Sequence, residues 1–240
     1  MKTPTYDVRA HKIVSHDEWI PARKALLAKE KEFTRLRDQL SQERRDLPWE
    51  RVEKPYVFDD PAGKQSLSDL FAGSHQLVVY HFMFDPEWDE GCKSCSFWAD
   101  NFNGIPVHLR ARDVSFVAIS RAPLPKIEAY RKRMGWSFTW LSSFNNDFNR
   151  DFNVTFTKEE LDKDQAYYNY LMQSPPDSEG AGISVFYRDD AGSIYHTYSA
   201  FGRGIDLMNG AYNYLDLTPK GRDEGEGIQR WVHRHDEYGS

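Results

Sequence analysis

The sequence predicts an α/β protein in which a mixed β-sheet is flanked by helices. Two buried-strand patterns, at residues 77–84 and 113–120, enclose a segment with helical spacing, which is typical of a right-handed β-α-β unit with parallel strands. Two further strand patterns, at 183–187 and 194–198, are joined by a short polar turn and form a hairpin that completes the sheet. A long helix at 16–46 adds an N-terminal extension.

The N-terminal helix begins at a capping box formed by Ser15 and Glu18. Apolar residues from Trp19 to Leu40 recur at helical spacing, and Pro48 follows the end of the pattern. Because the stripe is narrow and is not sustained as a heptad, we expect the helix to pack on its own domain. Pairing with a second copy of the chain, which would give a homodimer, is the alternative.

The next segment predicts a strand, a turn and a short helix before the first buried strand. Residues 51–58 have a strand pattern, Gly63 lies in the turn, and residues 66–71 form a short capped helix. The run at 77–84 is β-branched and aromatic and stops at an Asp-Pro pair. This composition favours a strand that is covered on both faces.

Both cysteines lie directly after this strand, in the run Cys92-Lys93-Ser94-Cys95. Apolar residues recur every three or four positions as far as Ile105, so the pair is expected at the start of a helix. A thiolate there faces unpaired backbone N–H groups and the positive end of the helix dipole, which lowers its pKa. The second thiol lies on the same face and can attack a mixed disulfide formed at the first. We therefore assign Cys92 as the nucleophile and Cys95 as the resolving thiol.

Four carboxylates upstream of the pair oppose this activation, because negative charge beside a thiolate raises its pKa. They are Asp85, Glu87, Asp89 and Glu90. The ammonium group of Lys93 offsets only part of their charge. The pKa of the first cysteine thus depends on distances that the sequence does not give.

Two other interpretations of the cysteines stay open. They are reduced core thiols, or half of a zinc site, since CxxC is also a metal-ligand spacing. The histidines that could complete a zinc site are His81, His108, His233 and His235. None of these has a recognisable ligand spacing, and no second CxxC exists, so the redox interpretation is favoured.

Composition argues against several classes of function. The 240 residues are 40% hydrophobic and 28% charged, which is typical of a soluble globular domain with additions. The 37 acidic residues exceed the 31 basic ones, and the net charge of −6 argues against nucleic acid and anionic membranes as partners. With no secretory h-region and no apolar run of eighteen residues, we expect a cytoplasmic protein, in which a lone CxxC exchanges disulfides or senses redox state.

The end of the second buried strand supplies a candidate anion contact. Ligands meet the carboxyl ends of parallel strands, so Arg121 is expected on the same rim as Cys92, where it could hold an anionic substrate group. A surface ion pair with a neighbouring acid is the alternative role of this arginine. A helix at 123–134, closed by Gly135, and a short strand at 137–141 follow.

The C-terminal half of the sequence contains fewer patterns that predict structure or function. An insertion at about 145–172 ends in a helical pattern over 158–172, to which we assign no function. Gly202-Arg203-Gly204 is a weak match to a phosphate-binding loop, and its arginine is retained as a candidate substrate contact. The tail at 216–240 is Gly-rich and charged, so we expect it to be solvated, with Trp231 anchoring it to the body.

The order of the elements, with CxxC at a helix start between parallel strands and a later hairpin, resembles the thioredoxin superfamily. Three segments, DPEWDEGCKSCSFWAD, SVFYRDDAGSIYHTYSAFGRG and YNYLDLTPKGRDE, are similar to a thioredoxin-like bacterial family. This is domain-of-unknown-function family 899, labelled a predicted dithiol-disulfide oxidoreductase. The resemblance covers nearly the whole chain.

The resemblance implies an exposed nucleophile at Cys92 and a buried partner at Cys95. It also implies a substrate-facing turn before the hairpin, where working thioredoxins have a proline and this chain has Gly182-Ile183. The tryptophan that usually precedes the first cysteine is replaced by Gly91, and the threonine of peroxiredoxins is replaced by Asp89. The second replacement disfavours a peroxidase role.

We therefore predict a thiol-disulfide oxidoreductase with a redox-active disulfide, which works with an external dithiol reductant or a disulfide substrate and needs no cofactor. Its predicted parts are an N-terminal helical extension (1–48), a thioredoxin-like domain (49–215) and a C-terminal tail (216–240). The candidate substrate contacts are Trp88, Arg121, Gly182, Ile183 and Arg203. A second interpretation is a binding module, in which Trp88 and Phe97 hold a ligand or partner and the cysteines only sense redox state.

Overall fold

The computed structural model describes residues 11–225 and 227–239, which fall into two compact units. The first unit ends at Pro48, and its described part contains helix α1 (His16–Arg45). The predicted capping box is confirmed, since the Ser15 side chain accepts from the Glu18 N–H and the Glu18 side chain accepts from the Ser15 N–H. Within the described residues, no helix combines the length and the apolar character that a membrane span needs.

The second unit, from Trp49 onward, is built on an eight-stranded mixed sheet. The strands of the chain are β1 (Glu50–Arg51), β2 (Val57–Asp60), β3 (Gly63–Ser66), β4 (Gln76–His81), β5 (Val114–Ser120), β6 (Trp140–Ser142), β7 (Ala166–Tyr168), β8 (Leu171–Gln173), β9 (Gly182–Arg188) and β10 (Ile194–Phe201). In the large sheet their order is β1-β10-β9-β4-β5-β6-β2-β3, and β7 and β8 form a separate hairpin.

Short helices flank this sheet and complete the predicted α/β fold class, a mixed sheet flanked by helices. They are α2 (Lys93–Ala99), α3 (Ile105–Arg110), α4 (Leu124–Arg133), α5 (Phe148–Asp151), α6 (Lys158–Asp162) and α7 (Gly210–Leu215). Turns of 3₁₀ helix occur at Asp69–Phe71, Gly202–Met208 and His235–Glu237.

The centre of the sheet has the predicted topology. Strands β4 and β5 are parallel, and α2 and α3 lie in the connection between them, as expected of a β-α-β unit. On the other edge of β4, strand β9 runs antiparallel, and β9 and β10 form the predicted hairpin. The ends of β4 and β5 and the start of β9 therefore meet at one rim, which is the rim that carries the cysteine loop.

Strand β4 separates two apolar cores. Tyr80 faces one core together with Cys95 and Trp98, and we call this side the cysteine-side core. Leu77 and Val79 face the opposite core, which is filled by phenylalanines of α5 and β9. The side chains of β4 alternate in this way because successive residues of a strand point to opposite faces.

The chain leaves the sheet earlier than the sequence predicted. Strand β4 ends at His81 instead of residue 84, because the next backbone groups turn to the cysteine loop. The Met83 N–H donates to the Cys95 sulfur at 3.4 Å, and the Met83 carbonyl accepts from the Cys92 N–H at 3.1 Å. These bonds replace ladder bonds that a longer strand would make.

The helix after the cysteines is also shorter than predicted. Helix α2 ends at Ala99, where the Asn101 side-chain amide donates to the carbonyls of Phe97 and Trp98. Gly104, with a φ of +84°, then turns the chain into α3. A side-chain donor on the last carbonyls of a helix competes with its continuation, so the apolar pattern to Ile105 spans two helices.

The helix predicted over 158–172 is wrong beyond α6. Residue Asp164 has a φ of +49°, and the chain then forms the hairpin of β7 and β8. Its two-residue turn is Asn169-Tyr170, and both residues have positive φ, as a type I′ turn requires. The alternating tyrosines of this segment therefore belong to a small hairpin.

Candidate dithiol site

The two cysteines lie at the start of α2, facing the cysteine-side core. Cys92 is the N-cap residue and is half-buried, whereas Cys95, in the first helical turn, is 1% exposed. Both are free thiols. The backbone of Met83 binds both of them, so the loop from β4 holds one thiol at the surface and the other beneath it.

The two thiols have opposite pKa shifts. A hydrogen bond from the Cys95 side chain lowers the pKa of Cys92 to about 6, against the opposing effect of burial, and the N–H groups of Cys95 and Ser94 add to the lowering. Burial raises the pKa of Cys95 far above its ordinary value, and the anionic form of Cys92 raises it further. These opposite shifts favour the thiolate form of Cys92 and the protonated form of Cys95.

The helix contributes less to this shift than the sequence suggested. Helix α2 has seven residues, so its dipole is small, and the Cys92 side chain makes no capping hydrogen bond to it. The lowered pKa of Cys92 comes first from the Cys95 side chain, with smaller contributions from the N–H groups of Cys95 and Ser94. Local hydrogen bonds are thus the main source of activation.

The upstream carboxylates oppose this activation less than the sequence predicted. Glu90 forms ion pairs with Arg133 and, at 2.9 Å, with Arg234. Asp85 forms an ion pair with Arg121 at 2.8 Å. Two of the four carboxylates are therefore paired with guanidinium groups, and the ion pair of Arg121 with a neighbouring acid is the alternative role that the sequence suggested for this arginine.

The residue before the first cysteine must be a glycine in this packing. Gly91 is buried, and a Cβ atom there would lie 2.8 Å from the Phe82 ring and 2.9 Å from the Tyr130 ring. Both rings are enclosed by other aromatic side chains and cannot move aside cheaply. The tryptophan that thioredoxins usually have at this position does not fit here.

We expect Gly91→Ala to lower the free energy of unfolding by about 1–3 kcal/mol, because overpacking forces the two rings apart. Denaturant unfolding of the variant and the wild type measures this loss. Gly204→Ala is the matched control, since its Cβ would meet one methyl group at 3.2 Å. An equal loss in both variants would contradict the packing account.

A chain of hydrogen bonds connects the C-terminal segment to the cysteine loop. The Arg234 guanidinium donates to the Gly91 carbonyl at 2.9 Å and to the Tyr130 hydroxyl at 2.7 Å. The Tyr130 hydroxyl is 2.8 Å from the Ser96 hydroxyl, which donates to the Cys92 carbonyl at 2.9 Å. The backbone carbonyl groups of Gly91 and Cys92 are therefore both held by hydrogen bonds.

The tail predicted to be solvated packs in part against the body: Trp231, Val232 and Arg234 are buried or half-buried, whereas His233 and His235 are exposed, as predicted. Trp231 anchors it as predicted, with its ring 5.5 Å from that of Phe97, and Val232 is fully buried. His235 lies 2.7 Å from Asp100, just beyond α2. The tail residues thus form one wall of the dithiol site.

Arg121 lies directly after β5, on the predicted rim, but it is engaged by two carboxylates. Its guanidinium donates to Asp85 at 2.8 Å and to Glu179 at 2.5 Å. Burial raises the pKa of Glu179 to about 7, despite the attraction of Arg121 and a hydrogen bond from Thr155. One guanidinium shared by two buried acids leaves a net negative charge, which favours proton uptake by Glu179.

The other candidate substrate contacts are spread over the rim and the surface. Gly182 is opposite His81 and Ile183 is opposite Tyr80 in the pairing of β9 with β4, and Ile183 is buried. Trp88 is half-buried against the cysteine-side core. Arg203 lies in the 3₁₀ turn after β10, with its side chain 80% exposed and 3.5 Å from Asp206.

The described part of the chain contains no group of three or more His, Cys, Asp or Glu side chains that could hold a metal ion. His81, one of the zinc ligands considered from the sequence, lies in the opposite core and is 2.8 Å from the Ser184 hydroxyl. His235 is committed to Asp100. The structure does not bring these histidines to the cysteines.

Sequence reasoning missed four residues that contact the site. They are Tyr80, Ser96, Tyr130 and Arg234. Strand alternation places Tyr80 on one face of the sheet, so a signal for this residue was present. No local pattern marks Arg234, because its contact with Gly91 joins positions 143 residues apart.

The chain matches one protein family and is similar to several solved structures. No functionally curated protein matches it. Similar solved structures include peroxiredoxin Q of Xanthomonas campestris (11% identity, TM-score 0.45, covering 65% of this chain and 85% of that one). They also include a thiol:disulfide interchange protein from Bacteroides sp. (13%, 0.43, 73% and 95%) and peroxidoxin BcpB of Mycobacterium tuberculosis (15%, 0.41, 67% and 92%). The model of the family described as "Bacterial protein of unknown function (DUF899)" matches residues 8–238, and the chain belongs to this family.

Proposed function

We propose that this protein is a thiol-disulfide oxidoreductase that cycles through Cys92 and Cys95. The observation that carries the proposal is the contact between two unlike thiols. Cys92 is half-buried with a lowered pKa, and Cys95 is fully buried with a raised pKa. A reactive outer thiolate above a protected inner thiol is the arrangement that two-step disulfide exchange requires.

In the first step, the Cys92 thiolate attacks one sulfur of a substrate disulfide RSSR. A bond between Cys92 and SR forms, the substrate S–S bond breaks, and the leaving thiolate takes a proton from water. In the second step, Cys95 loses its proton and attacks the Cys92 sulfur. The internal disulfide forms, the second RS group leaves and accepts a proton, and the substrate has gained two electrons.

An external dithiol then reduces the internal disulfide and restores both cysteines. The proposed cycle needs no bound cofactor, since both electrons travel on sulfur. The half-exposed edges of Cys92 and Trp88 are the proposed surface for substrate binding, and we place the reaction in the cytoplasm. Arg121 is left out of this surface, because its guanidinium is engaged by two acids.

The experiment that tests the proposal is reduction of a fluorogenic peptide disulfide, driven by dithiothreitol. We expect wild-type protein to accelerate the reaction, Cys92→Ser to abolish the acceleration, and Cys95→Ser to accumulate a mixed disulfide at Cys92 that intact mass detects. Equal rates for the wild type and Cys92→Ser would reject the proposal. A thioredoxin-like binding module with redox-sensing cysteines would then be the better description.

A further inference from the structure

We propose that Tyr80 is a positioning residue for the second step, in which its buried hydroxyl stabilises the Cys95 thiolate. This inference rests on the proposed function, because it assigns a role within the same exchange reaction. It concerns the resolving thiol alone and leaves the reactivity of Cys92 to the groups already described.

The position of the Tyr80 hydroxyl needs an explanation. Tyr80 is fully buried in the cysteine-side core, and among the described residues its hydroxyl has no hydrogen-bond partner. Cys95 is buried in the same core; burial raises the pKa of both groups, and the Tyr80 side chain acts to lower the pKa of Cys95. Leaving a buried hydroxyl without a strong partner costs about 1–3 kcal/mol, and phenylalanine at this position would avoid that cost. The presence of tyrosine at position 80 is explained if its hydroxyl has a partner that becomes a strong hydrogen-bond acceptor only during the reaction.

Cys95 becomes such an acceptor in the second step. Its sulfur must carry a negative charge while it is 1% exposed, and water cannot stabilise the anion there. The Met83 N–H already points to this sulfur at 3.4 Å. Adding the Tyr80 O–H gives the thiolate two fixed donors, and hydrogen bonds to an ionised acceptor are stronger than those to a neutral one.

The step balances without a further reactant. When Cys92 carries the SR group, Cys95 loses its proton, and its sulfur attacks the Cys92 sulfur. The Cys92–Cys95 bond forms, the Cys92–SR bond breaks, and the released RS group takes up a proton. Tyr80 keeps its own proton throughout and donates only a hydrogen bond, so it lowers the barrier by stabilising the attacking anion.

Single-turnover reaction with the symmetric disulfide of thionitrobenzoate tests this role, because each step releases one coloured thionitrobenzoate. We expect two equal phases of colour release in the wild type. In Tyr80→Phe, the first phase keeps its rate, and the second slows by about tenfold, which corresponds to the loss of one hydrogen bond to a charged group. Intact mass should show the Cys92 mixed disulfide during the delay.

Tyr56→Phe is the matched control. Tyr56 is also buried, at 5% exposed, in the opposite core, and its hydroxyl donates to Asp151 at 2.7 Å. We expect both phases of this variant to match the wild type. A second phase of unchanged rate in Tyr80→Phe, or equal slowing of both phases, would overturn the inference.

Failure of the inference differs from failure of the proposed function. If the proposed function is wrong, wild-type protein releases no second thionitrobenzoate, or Cys92→Ser retains both phases. If Tyr80→Phe does not fold, 3-fluorotyrosine incorporated at position 80 keeps the ring and strengthens the donor. At pH 7 it should accelerate the second phase and leave the first unchanged, and an unchanged second phase would refute the role of the hydroxyl.

Discussion

Arg121→Met is expected to lower the free energy of unfolding by about 3–5 kcal/mol at pH 8, because it removes one partner of a buried ion cluster. Glu179, with its side chain 1% exposed, and Asp85, with 10%, would lose the guanidinium they share. A buried carboxylate without a counter-charge costs several kcal/mol, and methionine fills the volume without replacing the charge. The loss therefore measures the electrostatic contribution of the arginine.

The loss of unfolding free energy in Arg121→Met should depend on pH. The folded-state pKa of Glu179 is raised to about 7, above its ordinary value, so the folded protein holds a proton that the unfolded chain has released. The contribution of Glu179 to wild-type stability is therefore expected to fall as the pH rises from about 4.5 to 7. Without Arg121 the carboxyl is protonated to a still higher pH, so Arg121→Met should lose less at pH 5 than at pH 8.

Urea unfolding of the two proteins across this pH range measures both effects. The stability of the wild type relative to Glu179→Gln should decrease as the pH rises from about 4.5 to 7, since glutamine does not titrate and the other titrating groups are common to both proteins. Arg203→Met is the control for loss of an arginine, because that side chain is exposed and its removal should change stability by less than about 0.5 kcal/mol. Equal losses for the two arginine variants would contradict the buried cluster.

Arg234→Gln is expected to raise the pKa of Cys92 and to lower the free energy of unfolding by about 2 kcal/mol. The guanidinium donates to the Gly91 carbonyl and the Tyr130 hydroxyl and pairs with Glu90 at 2.9 Å. Hydrogen bonds that involve a charged group contribute about 1.5–3 kcal/mol each, and part of this is recovered by glutamine. Glu90 would also keep less of its counter-charge near the thiolate.

The rate of Cys92 alkylation against pH measures the first effect, and denaturant unfolding measures the second. Arg234→Lys keeps the positive charge and loses the planar fork, so it separates charge from geometry. We expect it to recover most of the pKa effect and little of the stability. A Cys92 pKa that is the same in Arg234→Gln as in the wild type would show that the C-terminal segment does not tune the thiol.

The sequence predicts those parts of this fold that have a strong local period. Strands β4 and β5, helix α4 and the hairpin of β9 and β10 each follow from apolar spacing and turn residues. The hairpin of β7 and β8 was missed, because tyrosine alternates there among acidic and amide residues that also suit a helix. The positive φ values of Asn169 and Tyr170 make this segment a hairpin, and they cannot be read from the sequence.

The sequence predicts only part of the candidate site, again because it displays only local patterns. The position of the cysteines at the start of a helix follows from a local motif, but several groups that contact the site come from distant positions. Arg234 reaches Gly91 across 143 residues, and Arg121 reaches Glu179 across 58. Such contacts depend on how the tail and the loop before β9 fold back, which no local pattern encodes.

The central claim is that Cys92 is a thiolate at neutral pH and that Cys95 protects and activates it. Alkylation of the reduced wild-type protein with iodoacetamide, followed by mass spectrometry of the two cysteine peptides between pH 4 and 10, tests it most directly. We predict that modification titrates with a midpoint near 6 and occurs at Cys92, while Cys95 stays unmodified until the protein unfolds. A midpoint near the free-cysteine value of about 8.5, or equal modification of both cysteines, would contradict the account.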